Sequence, residues 1–122
     1  MYERHSSLSA RELIDDLLPK LKATEHFLGN TLNAKVQHSP EPREQLRLRN
    51  LKAEFELEVS MIRMNLKHLL RRYSQELASM SEGDEDLLLE LDEHEVVAIK
   101  GMRQLFQRTH ELQTNLGERV DV

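Results

Sequence analysis

The chain has no cysteine and therefore no disulfides, no thiolate nucleophile and no thiolate-ligated zinc. The usual staples of a small secreted scaffold are missing with it, and an intracellular location, cytoplasm or nucleus, is the expectation. Glycine occurs 4 times and proline 3 times, both scattered, so neither a glycine-rich phosphate loop nor a Gly-x-Ser-x-Gly nucleophile elbow can be built. Aromatic residues make up only 4% of the chain. From Met1 to Arg11 there are charges and hydroxyls in place of an apolar run with a small-residue cleavage site. That stretch reads as neither a signal peptide nor a membrane anchor, and the mature chain is expected to start near Met1.

What is present is a chain of 122 residues, 39% apolar and 32% charged. That length fits one helical domain, 1–122, too apolar for a disordered tail and too polar to span a membrane. The net charge of −5 is unevenly spread: up to Met80 there are 13 basic and 11 acidic residues, and after it 4 and 11. Most of the later excess lies in Ser81 to Glu95, which reads as a solvated acidic connector. An overall negative charge disfavours direct nucleic-acid binding, since neutralising phosphates needs a surplus of Lys and Arg on one face.

Ser9-Ala10-Arg11-Glu12 has the form of a capping box, in which the serine hydroxyl and the glutamate carboxylate each accept from the other's amide. A helix beginning there buries Leu13, Ile14, Leu17, Leu21, Thr24 and Leu28. Pro19 predicts a kink, or two short helices meeting at Leu18. Gly29 to Glu41 reads as a loop, although Leu32 and Val36 could extend the helix through it. Arg43 to Met80 contains no glycine or proline and predicts one long helix, roughly 57 Å at 1.5 Å per residue. Its seam is Leu48, Leu51, Phe55, Val59, Ile62, Leu66, Leu69, Tyr73, Leu77 and Met80, at steps of three or four, as where one helix packs along another.

A second apolar row, Leu46, Ala53, Leu57, Met61 and Met64, lies about 160 to 200° around that helix from the seam. Either the first and last helices cover both rows, or one row meets another protein chain, with Leu57, Met61 and Met64 as central anchors. Leu87 to Leu91 is an apolar patch too short to classify. Asp92 caps a last helix with Glu95 at its third position; Ala98, Met102, Leu105, Phe106, Leu112 and Leu116 form the buried stripe, and Gly117 ends it. Gly101 falls beside that stripe, where close packing against another helix would account for it.

Chemistry is sparse. Among six histidines none has a partner four residues away, and none follows a glutamate by three, which excludes the zinc-protease and di-iron bundle patterns. Glu90 and His94, one turn apart and helped by Asp86 or Glu93, could hold a metal. His68 or His94 could accept a phosphoryl group, though without the small and basic residues that usually follow such an acceptor. The pattern names no catalytic, cofactor-binding or metal-binding residue, and no cofactor.

The stretch Glu58 to Tyr73, read with the acidic connector and with Leu91-Asp92-Glu93-His94-Glu95 opening a terminal helix, resembles the helical domain of GINS subunits. Those proteins carry a Glu, Arg and apolar rich helix with an arginine-rich end, a loop, and a helix opened by an acidic pair. Here the Tyr-x-Arg-x-Arg order and the small β domain are absent. The resemblance implies a non-catalytic subunit of the replicative helicase assembly, with neighbours packed along the long helix. The expectation is an all-α, elongated bundle of three or four helices, an interaction module working as subunit or adaptor. It would bind a protein partner or another copy through the long helix, with no membrane partner. The alternatives are a small acidic chaperone that holds a client segment, and a histidine phosphotransfer domain.

Overall fold

The structure, a computed structural model, describes residues 6–80 and 86–120, with side chains through residue 115. Four helices and one two-stranded sheet make it up: β1 (Ser7–Ser9), α1 (10–38), α2 (Pro42–Arg72), α3 (Ser74–Ala78), β2 (Leu88–Glu90) and α4 (Glu93–Val120). It is an all-α bundle in which α1 and α4 pack on one side of the long α2, as the apolar periodicity predicts.

Ser9 caps α1 as expected, its hydroxyl accepting from the Glu12 amide at 3.2 Å. The reciprocal half of the capping box does not form, because the Glu12 carboxylate pairs instead with Arg103 of α4 at 2.6 Å. Asp86 completes the cap: it accepts from the Ser9 hydroxyl, from the Arg11 amide at 3.0 Å and from the Leu87 amide at 2.8 Å. These bonds, the serine's first, hold the Asp86 carboxyl below its ordinary range.

Helix α1 does not split at Pro19. Leu13–Leu17 forms a π turn in which the Leu18 amide donates to the Leu13 carbonyl, and the backbone at Leu17 and Leu18 stays helical. The widened turn just before the ring accommodates a residue that has no amide to donate. The loop expected from Gly29 is also absent up to His38. Gly29 and Asn30 lie in a second π turn, Phe27–Leu32, followed directly by the helix Asn33–His38. Burial explains this, since Leu28, Leu32 and Val36 all continue the core-facing stripe. The Asn30 side chain donates to the His26 carbonyl at 3.1 Å within that turn. Only residues 39–41 connect α1 to α2.

The long helix is shorter than predicted. It is unbroken for 31 residues, about 46 Å, and stops at Tyr73, whose φ of −111° and ψ of 21° leave the helical region. The neighbouring strand holds it there: the Tyr73 hydroxyl accepts from the Glu90 amide at 2.9 Å, and Arg72 donates to the Glu90 carbonyl at 2.7 Å. The seam residues Leu48, Phe55, Val59, Ile62, Leu66 and Leu69 are buried, and Leu51, Tyr73, Leu77 and Met80 pack partly against the same core.

The unclassified Leu87 to Leu91 patch contains the second strand, antiparallel to the first with Leu8 opposite Leu89, both buried. Of the acidic connector, Glu82, Asp84 and Glu85 lie outside the described residues. Glu95 overturns the expectation of a uniformly solvated segment, because it is fully buried. Its capping box forms in both directions, Glu95 amide to Asp92 at 2.7 Å and Asp92 amide to Glu95 at 2.9 Å. Gly117 does not end α4, which runs on to Val120. At Gly101 an added Cβ would meet Ile62 Cδ1 at 3.5 Å, ordinary van der Waals contact, so the packing there does not demand glycine.

Candidate functional site

The second apolar row of α2 stands in solvent. Leu46, Leu57, Met61 and Met64 are 54%, 64%, 55% and 64% exposed, and Ala53 is exposed among them. Their opposite face is the core of the bundle, so α2 is apolar on two sides, one packed and the other open to solvent. The helices that pack against α2 hold it from its core side. Arg63 pairs with Glu25 of α1, and Arg108 of α4 pairs with Glu58 at 3.3 Å while its guanidinium sits 4.9 Å from the Phe55 ring centroid. These contacts leave the row uncovered while fixing the helix that presents it.

Two open clefts flank α2 on the side of α1. One of about 300 Å³ is lined by Glu25, Leu28, Gly29, Glu56, Val59, Ser60 and Arg63. The other, about 320 Å³, adjoins it at Glu56 and reaches Asn33, Gln37 and Arg49. Charged rims and shallow apolar floors leave neither with the enclosed, mostly apolar lining of a small-molecule site.

A second cluster was not foreseen from the sequence. At the start of α4 the Glu95 carboxylate, with no exposed side-chain area, accepts from Arg72 twice, Nη2 to Oε1 at 2.7 Å and Nε to Oε2 at 3.0 Å. His68 Nδ1 lies 2.9 Å from the same Oε2 and 3.8 Å from Asp92 Oδ2. Burial pushes the Glu95 carboxyl up, but the Arg72, Asp92 and His68 hydrogen bonds together outweigh it and hold the group below its ordinary range. The same pairing raises Arg72. The signal was available: Glu95 falls in register with the buried Ala98, Met102 and Leu105, and a carboxylate in an apolar row requires a cation from elsewhere.

His68, Asp92 and Glu95 bring one ligand atom each within 4.8 Å of one another, whereas Glu90 and His94 belong to no such group among the described residues. The donor set does not suit a metal. Both Glu95 oxygens are already engaged by a guanidinium, a backbone amide and an imidazole, so a cation would have to displace Arg72. No side-chain polar atom buried among the described residues lacks a partner. The cluster is a joint that fastens the end of α2 to the beginning of α4.

Among the described residues, no helix is long and apolar enough to cross a membrane. Comparison of the chain with protein-family models, curated proteins and solved structures finds no match.

Proposed function

We propose that this chain is a non-catalytic helical interaction module, a subunit or adaptor of a multiprotein assembly, with Leu46, Ala53, Leu57, Met61 and Met64 as its docking surface. The observation that carries the reading is the exposure of four large apolar side chains, each more than half open to solvent, in one row on a 31-residue helix. A row of that kind differs from the singly scattered apolar residues of ordinary surfaces. Completing the burial of side chains that stand 55–64% exposed is worth about 1–2 kcal/mol each, which makes Leu57, Met61 and Met64 the natural centre of an interface. Methionine at two of those three positions lets the surface adapt to its partner. The resemblance of the long helix and the start of α4 to GINS helical domains favours the same class of role, with neighbours along that helix.

Size chromatography of extracts from the source cells tests the reading. The unaltered chain runs in a particle well above 14.3 kDa. The Leu57→Glu/Met64→Glu variant, with unchanged helical circular dichroism, runs smaller. Equal elution of both proteins would contradict the proposal.

A further inference from the structure

The open face of α2 is apolar in its middle and basic at both ends. At about 100° per residue, Arg43, Arg49, Lys67 and Arg71 all fall within about 80° of the line through Leu57, the first two beside Leu46 and the last two beyond Met64. All four are exposed, and among the described residues none of them makes an ion pair. Nor does any of them have an aspartate or glutamate three or four residues away that could reach it along the helix. The other cations of α2 are matched: Arg47 by Glu44, Lys52 by Glu56, Arg63 by Glu25 and Arg72 by Glu95. Glu54 is the one carboxylate of α2 within the same sector. A chain of net charge −5 thus gathers unanswered positive charge around its bare row.

We infer that the row is covered by an amphipathic helix of another protein, with apolar side chains in its middle turns and aspartates or glutamates at both ends; the inference rests on the row being a docking surface. Arg49 and Lys67 lie about 27 Å apart along the axis of α2. A partner helix of about 20 residues that sets side chains on Leu57, Met61 and Met64 therefore brings its two ends to those cations. Carboxylates there answer charges that the chain leaves unmatched, and this complementarity fixes the register while the apolar middle supplies most of the burial. A helix fits because the row is straight and follows one helix face. A phosphate backbone would need cations along the whole track, and in this sector there is none between Arg49 and Lys67. A membrane-surface helix carries its cations alongside its apolar stripe, and the net charge of the chain opposes an anionic bilayer.

Lys67 makes the contact chemically addressable, because a carbodiimide joins an amine to a carboxylate only where the two touch. In extracts of the source cells, carbodiimide treatment followed by mass spectrometry is expected to couple Lys67 to an aspartate or glutamate of a different protein. Lys67→Arg keeps the charge and removes the amine, so the particle seen by size chromatography stays and this adduct disappears. Lys67→Glu/Arg71→Glu, with unchanged helical circular dichroism, is expected to weaken binding about tenfold or more, read as the chain leaving the particle. A particle that keeps its size with the reversed charges, or that yields no Lys67 adduct, overturns the acidic partner. Disassembly of the particle by nuclease, or by a mild detergent that leaves the circular dichroism unchanged, puts a nucleic acid or a membrane in place of the helix and overturns it as well. In each of these cases loss of the particle with Leu57→Glu/Met64→Glu still upholds the docking surface, whereas equal elution of every variant removes the docking surface itself.

Discussion

Arg72 lays two nitrogens against the carboxylate of Glu95, at 2.7 and 3.0 Å, and that carboxylate has no exposed surface. The pair joins the last turn of α2 to the first turn of α4, while Arg72 also reaches the Glu90 carbonyl of β2. Removing the guanidinium leaves a buried carboxylate short of its main cation. Arg72→Ala is expected to destabilise by about 2–3 kcal/mol, at the low side for a broken buried pair because Arg72 itself is partly exposed. Arg63→Ala, which breaks the more exposed pair with Glu25, is expected to cost less than about 1 kcal/mol. Urea denaturation of the two variants measures the contrast.

The same site sets a pH dependence. The folded-state pKa of Glu95 lies below its ordinary value of 4.5, so its contribution to stability is complete above that value and is lost as pH falls through the lowered one. Thermal melts are expected to hold steady down to about pH 5 and then decline. Asp86, lowered by its bonds to Ser9, Arg11 and Leu87, acts in the same direction. Glu95→Gln is expected to start less stable near neutrality and to decline less steeply on the acid side. An acid limb as steep as that of the unaltered chain would remove Glu95 from the account.

Gly101 tests the packing of α4 against α2. An added methyl meets Ile62 at ordinary contact distance, and the residue lies in a helix interior, where glycine is about 1 kcal/mol worse than alanine. Gly101→Ala is therefore expected to stabilise the chain by about 0.5–1 kcal/mol, read as a raised denaturation midpoint. A lowered midpoint would mean that the two helices are closer than this structure places them.

The parts of the fold that repeat were the parts the sequence displayed. Leucines and aromatics at steps of three or four marked the buried face of α2, and a second apolar row opposite it was legible too, but that the other helices leave this row open shows only in the packed structure. The Asp92 and Glu95 capping box was legible because both partners sit within one turn. Helix ends were harder to read. Gly29 and Asn30 have the composition of a stop, yet the π turn that absorbs them depends on the burial of Leu28, Leu32 and Val36. Tyr73 is a good helix continuation by pattern, and only its bond to Glu90 of β2 shows why the helix stops there. Strands of three residues, paired between the start of the chain and a segment beyond residue 86, carry too little periodicity to identify. The Arg72, His68 and Glu95 cluster joins residues 23 and 27 apart, whereas charge patterns along a helix speak only of neighbours three or four away.

The bare row on α2 is the central claim, and photocross-linking in the source cells tests it most directly. A photoreactive residue at position 57 is compared with one at Val97, an exposed apolar position of α4 outside the row. The account predicts protein adducts from position 57 and none from position 97; adducts from both alike, or from neither, would contradict it.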